Sequence, residues 1–379
     1  MKVRQFARLA SVAGVVLVSS LTLAACGSDN NAAGGTSAAP TAGKTTAAAA
    51  VDCGTAGKIN AEGSSAQKNA IEQAIASFAD VCPDITVNYN PTGSGAGITQ
   101  FNAAQVDFAG SDSALNADKG EVAAAATRCA GNPAWNLPMV TGPIAVAYNL
   151  PGVDKLVLNA EVTAKIFHGD IKTWNDPAIA ALNKGVTLPS DAIHVFFRSD
   201  ESGTTDNFTK YLKAASNGAW TDEHAKAWPK SGAGEGREKS AGVAEGVKTT
   251  PGGISYVEWS YAKDNKLGIA QIDNGSGAVE LNADSVGKAV AAAKPAGQGN
   301  DLQLTLDYAT KEAGAYPIIL VTYEVVCSKG LDANLTKGVK AFLTHFASAN
   351  VQKSLVDIGY APLPAEVQAN VAKAIAAIA

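Results

Sequence analysis

The stretch Ile193-His194-Val195-Phe196-Phe197-Arg198-Ser199-Asp200-Glu201-Ser202-Gly203-Thr204-Thr205 joins a short apolar strand pattern to a helical one. In the helical part, Phe208, Tyr211, Leu212 and Ala215 recur at the 3-and-4 spacing of one buried face. The first N–H groups of a helix have no intrahelical acceptor and sit at the positive end of its dipole, so Ser202, Gly203 and Thr204 can aim donors at an anion. Arg198 adds a planar, permanently charged fork, which Asp200 two residues later can hold in place. The same residues also read as an ordinary N-cap at a strand-to-helix turn.

Three earlier turns have the same grammar. Lys58 to Ala61 is strand-like and leads through Gly63-Ser64-Ser65-Ala66 to the amphipathic set Ala70, Ile71, Ala74, Ile75 and Phe78. Asp84 to Tyr89 alternates like a half-buried strand and meets Gly93-Ser94-Gly95-Ala96-Gly97 before a helix around Ile98 to Ala104. Val106-Asp107-Phe108-Ala109-Gly110 reaches Ser111-Asp112-Ser113. Strands alternating with helices imply parallel α/β sheets, which collect ligands beyond the C-terminal ends of their strands, where all four turns fall. Trp135 to Tyr148, apolar and rich in Pro and Gly, suits a strand passing from one domain to another, and Gly252 to Trp259 suits the return. Ser231 to Gly236 is too glycine-rich for a helix and reads as a surface turn or a loop at the cleft rim.

At 379 residues, with 46% hydrophobic and 17% charged composition, the chain is long enough for two ordinary domains. Its formal charge of -5 includes Lys2, Arg4 and Arg8, so removing that segment gives -5 minus 3, or -8. An acidic chain with no basic run is a poor nucleic-acid binder, and any anion must be captured by local geometry. The four histidines are scattered without metal-ligand spacing.

Residues 1–25 read as a signal peptide: a basic start, then an apolar run from Leu9 to Leu23 that is shorter than the ~20 residues of a membrane span. The ending Leu23-Ala24-Ala25-Cys26 resembles the lipobox of bacterial lipoproteins. That resemblance implies cleavage before Cys26 and lipid attachment to its sulfur, leaving the protein on the outer face of the cytoplasmic membrane. Gly27 to Ala50, all small and polar residues without periodicity, reads as a flexible tether spanning on the order of 25 to 30 Å. Four cysteines follow, Cys53, Cys82, Cys129 and Cys327. In an exported chain an even count implies two disulfides in one of three connectivities. Cys53 with Cys82, each just before a strand pattern, and Cys129 with Cys327 are the favoured pairs.

Together, Gly63-Ser64-Ser65-Ala66, Thr92-Gly93-Ser94-Gly95-Ala96-Gly97, Val106 to Asp112, Ile171-Lys172-Thr173-Trp174-Asn175-Asp176, Arg198 to Thr204 and Gly253-Ile254-Ser255-Tyr256-Val257-Glu258 resemble one family. It is that of the periplasmic or lipid-anchored phosphate-binding proteins that serve ABC-type importers. The resemblance covers about residues 58 to 365. It implies a two-lobed α/β fold of the type II periplasmic-binding kind, with the cleft between lobes joined by two crossing strands. The expected lobes are 51–140 with 256–379, and 141–255.

The implied ligand is inorganic phosphate and the implied partner an ABC permease, with no cofactor, no metal, no nucleic acid and a monomeric state. The carried-over ligand set is Ser65, Ala66, Ser94, Asp112, Arg198, Ser202, Gly203 and Thr204, with Asp200 pairing the arginine. Many family members have a bulky residue where this chain has Ala66. Asp112 has a chemical reading of its own: among donors, a carboxylate repels an anion unless the anion brings a proton, which phosphate has near neutral pH and sulfate lacks. The alternatives are a receptor for sulfate or molybdate, and a phosphatase, for which the four turns offer no histidine or cysteine.

Overall fold

The computed structural model describes residues 51–379; the expected signal peptide, Cys26 and the tether lie outside the described residues. The chain opens with three strand–helix units: β1 (Lys58–Gly63), α1 (Lys68–Phe78), β2 (Thr86–Asn90), α2 (Ser94–Asn102), β3 (Phe108–Ser111) and α3 (Glu121–Arg128). β1 pairs in parallel with both β2 and β3, as strand–helix alternation requires. Each strand delivers one of the polar turns at its C-terminal end.

β4 (Ala134–Asn149) then runs for 16 residues. β5 (Val157–Asn159), α4 (Ala160–His168) and α5 (Pro177–Leu182) lead to β6 (His194–Arg198), α6 (Gly203–Ala215), β7 (Glu235–Arg237), α7 (Lys239–Thr249) and β8 (Gly253–Glu258). The glycine-rich stretch before Arg237 thus adds a short edge strand, parallel to β6. Next come α8 (Trp259–Asp264), β9 (Gly268–Ile269), β10 (Gln271–Asp273), β11 (Ala278–Val279), α9 (Ala283–Ala291), β12 (Lys294–Pro295) and β13 (Leu304–Thr305). β14 (Ile319–Cys327) and the helices α10 (Ala333–Phe346), α11 (Ala349–Ser354) and α12 (Ala365–Ala376) close the chain.

The main sheet has the order β2-β1-β3-β14-β4-β8-β6-β7. β4 changes partner along its length: Ala134 to Pro143 pair with β14, and Ile144 to Asn149 pair with β8. The side chains divide at the same point. Leu137, Met139 and Val140 of β4 join a core with Ile59, Phe78, Phe108, Phe342 and Ile375, whereas Ile144 to Tyr148 join a second core with Phe167, Trp174, Phe208 and Tyr256. β14 divides too, with Ile319 and Leu320 in the second core and Val326 in the first.

The expected outgoing strand is therefore β4. Gly253–Glu258, expected as the return crossing, pairs instead with the second half of β4 and with β6, and the chain comes back through β14. The sequence reads alike in both places because β8 and β14 are both buried throughout, and such strands have no alternation to tell one role from the other. Ala262, Ile272, Val286 and Ala315, C-terminal to residue 255, pack in the second core.

Disulfides join Cys53 to Cys82 and Cys129 to Cys327, with Cα separations of 5.8 and 5.4 Å. The second ties α3 to the end of β14 across 198 residues. Closing so long a loop in the unfolded chain is worth on the order of 5 kcal/mol in the chain-entropy account. Replacing Cys129 and Cys327 together by alanine is expected to lower the denaturant midpoint by most of that stability, read as a shift in urea unfolding. Among the described residues no helix is long and apolar enough to cross a membrane.

Candidate functional site

Arg198 ends β6, and Val195, with Phe197 stacked on the aromatic layer of Trp228, Tyr256 and Phe208, holds that strand in the second core. The guanidinium is 2% exposed. Its Nε donates to Asp200 Oδ1 at 2.8 Å and its Nη2 to Asp200 Oδ2 at 2.5 Å, the expected fork on a carboxylate. The N–H of Lys239, the first residue of α7, also donates to Asp200 Oδ1, at 2.9 Å. Burial alone would lower the arginine's pKa, but the Asp200 hydrogen bonds and charge raise it. Burial likewise works to raise Asp200, and Arg198 prevails and holds it low. The pair is thus charged and internally neutral, with Nη1 left to face Ser240 Oγ at 3.2 Å and Thr204 Oγ1 at 3.5 Å.

Ser202 is the N-cap of α6: its Oγ accepts the Thr205 N–H at 3.2 Å, and its own N–H donates to Lys226 O. The N–H groups of Gly203 and Thr204 then head the helix, where no intrahelical acceptor exists. The cap reading and the anion reading are therefore compatible, because the Ser202 cap uses the N–H of Thr205 and not those of Gly203 or Thr204. The Thr204 hydroxyl donates to Glu258 Oε1 at 2.5 Å.

The other three turns face this helix end. Asp112, 3% exposed, accepts from Ser64 Oγ (2.6 Å) and Thr322 Oγ1 (2.7 Å) on Oδ1, and from Ser94 Oγ (3.1 Å) on Oδ2. A carboxylate oxygen has two lone pairs, so Oδ1 is filled and Oδ2 keeps one acceptor position. Oδ2 lies on the α6 side: a Cβ built on Gly203 would stand 2.8 Å from it, 2.6 Å from Ser94 Oγ and 2.5 Å from the Asp112 Cβ. Burial pushes the Asp112 carboxyl up to about 6, against the pull of the Ser64 and Thr322 hydroxyls.

Ser65 Oγ meets Ser240 Oγ at 2.9 Å, which links the first turn to α7 and through it to Arg198 Nη1. Gly95 N–H donates to Glu201 O at 3.0 Å, and Asn207 Nδ2 to Asp112 O at 2.7 Å. Gly93, at φ +106°, passes so close that a Cβ there would lie 2.6 Å from Asp200 Oδ2.

The structure gathers Ser65, Ser94, Asp112, Arg198, Asp200, Ser202, Gly203 and Thr204 into one buried, interlinked cluster. Ala66 sits at the same turn, its N–H on Ser64 Oγ at 3.1 Å. Sequence reasoning did not single out Ser64, Ser240, Thr322, Asn207 or Glu258. Ser64 stands in the first turn itself, where either serine could have pointed inward. Ser240 and Thr322 come from elements with no turn motif, and only the fold brings them in. Gly203→Ala is expected to force α6 away from Asp112 and Ser94 and to weaken anion binding about tenfold or more through overpacking, measured by calorimetric titration.

A two-lobed α/β architecture with polar turns meeting at strand ends is that of a periplasmic-binding-type receptor. A family profile described as the PBP superfamily domain matches residues 33–350. The phosphate-binding protein PstS 3 of Mycobacterium tuberculosis (strain ATCC 25618 / H37Rv) is 48% identical over 378 residues, 98% of this chain and 99% of that protein. Phosphate-binding protein PstS 2 of the same organism is 44% identical over 382 residues, 99% and 100% of the two chains. Among solved structures, a high-affinity periplasmic phosphate-binding protein bound with phosphate (PfluDING) superposes with a TM-score of 0.69 at 24% identity, over 83% of this chain and 92% of that one, a likeness of fold. The chain belongs to the PstS-type phosphate-binding proteins of the PBP superfamily.

Proposed function

We propose that this protein is an extracytoplasmic receptor that binds inorganic phosphate between its two lobes and delivers it to an ABC-type import permease. The lobes are best drawn from the two cores, with residues 144–319 on one side, the rest of the described chain on the other, and β4 and β14 crossing between them. The anion would lie between the α6 N-terminus with Arg198 on one lobe and the Ser65, Ala66, Ser94 and Asp112 turns on the other. Closure around it would follow from its contacts with both lobes, which favour the closed state. The protein would be anchored through a lipid on Cys26 and would act as a monomer without a cofactor.

The open acceptor position on Asp112 Oδ2, facing the donors at the head of α6, carries this reading. Donors alone would suit any oxyanion. An added acceptor suits one that brings a proton, and so disfavours sulfate and molybdate. A phosphatase would need a base free to activate a nucleophile, whereas Asp200 is engaged by Arg198 and the open position on Asp112 Oδ2 faces the head of α6, where the anion itself would take it. Titrating the purified protein with phosphate, sulfate and molybdate tests the reading. Micromolar or tighter binding of phosphate alone is the expected result, and equal binding of sulfate would defeat it.

A further inference from the structure

Behind the Ser64–Ala66 turn lies a buried acid for which anion binding has no evident use. Glu324 stands on β14 two residues after Thr322, so the two side chains share a face, and its neighbours in register are Gly110 on β3 and Leu137 on β4. It is fully buried, and neither carboxyl oxygen has a hydrogen-bond partner. Gln67 is also fully buried, and its Oε1 has no donor.

The two belong together. Gln67 lies over Gly110, the cross-strand neighbour of Glu324, where a Cβ would collide with its Nε2. From Gln67 a chain of bonds leads into the site: Nε2 donates to Tyr89 OH (3.0 Å), Tyr89 OH to Ser64 O (2.7 Å), and Ser64 Oγ to Asp112 Oδ1 (2.6 Å). Three acceptor oxygens without a donor form an arrangement that one added proton largely repairs.

We propose that Glu324 is held as a neutral acid that donates its proton to the Gln67 carboxamide and so positions, through Tyr89, the Ser64–Ala66 turn of the anion site. Burial pushes Glu324 up to about 8; the Gln67 amide beside it pulls the other way, and the Asp112 charge adds to the rise. The titratable groups that bear on it are Asp112, beyond β3, and Tyr89 on β2; Leu137 on the β4 side is apolar.

The stability consequence has a definite sign. An acid whose folded value exceeds its unfolded one binds more protons when folded, so folding weakens as pH rises from the unfolded value towards about 8. Glu324→Gln keeps an N–H donor for Gln67 and does not titrate. Its Tm is expected to exceed that of the wild type increasingly as pH rises towards 8, the two converging by about pH 5. The inference rests on the phosphate reading only for its ligand arm. There E324Q should bind phosphate within about twofold of wild type, and Glu324→Leu, which offers no donor, about tenfold more weakly. If E324L does not fold, Gln67→Leu carries that arm. An E324Q protein with the wild-type dependence of Tm on pH would overturn the proposal, as would equal loss of phosphate binding in E324Q and the leucine variant. A wild-type protein that binds no phosphate would count against the functional reading, and the Tm arm would still decide the state of Glu324.

Discussion

Asp112→Asn is expected to weaken phosphate binding by about 1–3 kcal/mol, roughly five- to 150-fold, and to bring the affinities for phosphate and sulfate close together. The asparagine oxygen can still accept from Ser64 and Thr322, so the turn keeps its packing. On the other side an NH2 group replaces Oδ2. Its bond with Ser94 can reverse direction, because Ser94 Oγ both donates to Oδ2 and accepts the Asp112 N–H. The position that took a proton from the ligand then presents one. Phosphate loses an acceptor and meets a donor, whereas sulfate gains a donor. Competition calorimetry with both anions reads the change, and unaltered selectivity would remove Asp112 from its role.

How far this site was legible depends on the signal behind each residue. Ser65, Ser94, Asp112 and Arg198 each stand in a short polar turn after an apolar strand, and in a parallel sheet such a turn has one place to go. Their convergence needed only the alternation of strands and helices. Asp200 was legible because the spacing Arg198-x-Asp200 lets a fork close on a carboxylate, as it does. The path of the return strand was not legible. β8 and β14 are both buried throughout, without the alternation that would tell their roles apart, and only long-range pairing to β4 separates them. Thr322, Ser240 and Glu324 escaped for a related reason: each lies inside a regular element, and its polar atoms matter only because distant segments end beside it. Gly203 read as a backbone donor. That a side chain there would strike Asp112 depends on the approach of two elements separated by 91 positions, which no local pattern contains.

Arg198→Leu is expected to have the largest effect of any single change in the site. It removes the only cation hydrogen-bonded to Asp200 among the described residues and leaves a carboxylate, 16% exposed, with the Lys239 N–H as its remaining donor. Breaking a buried pair from one side costs about 3–5 kcal/mol, and the loss here should appear both in folding stability and in phosphate affinity. The two losses can be separated. Adding Asp200→Asn removes the stranded charge, so the double variant should recover much of the stability in urea unfolding while phosphate binding stays lost. If binding returned with stability, Arg198 would be a structural residue and the anion would lie elsewhere.

The central claim is that one bound phosphate is read from both sides, for charge by Arg198 and the head of α6 and for a proton by Asp112. A high-resolution crystal structure of the phosphate complex tests it most directly. The account predicts a single phosphate with one oxygen within hydrogen-bond distance of Asp112 Oδ2, and others on the Arg198 guanidinium and the N–H groups of Gly203 and Thr204. A phosphate bound without contact to Asp112 Oδ2, or a sulfate occupying the same position at equal affinity, would contradict it.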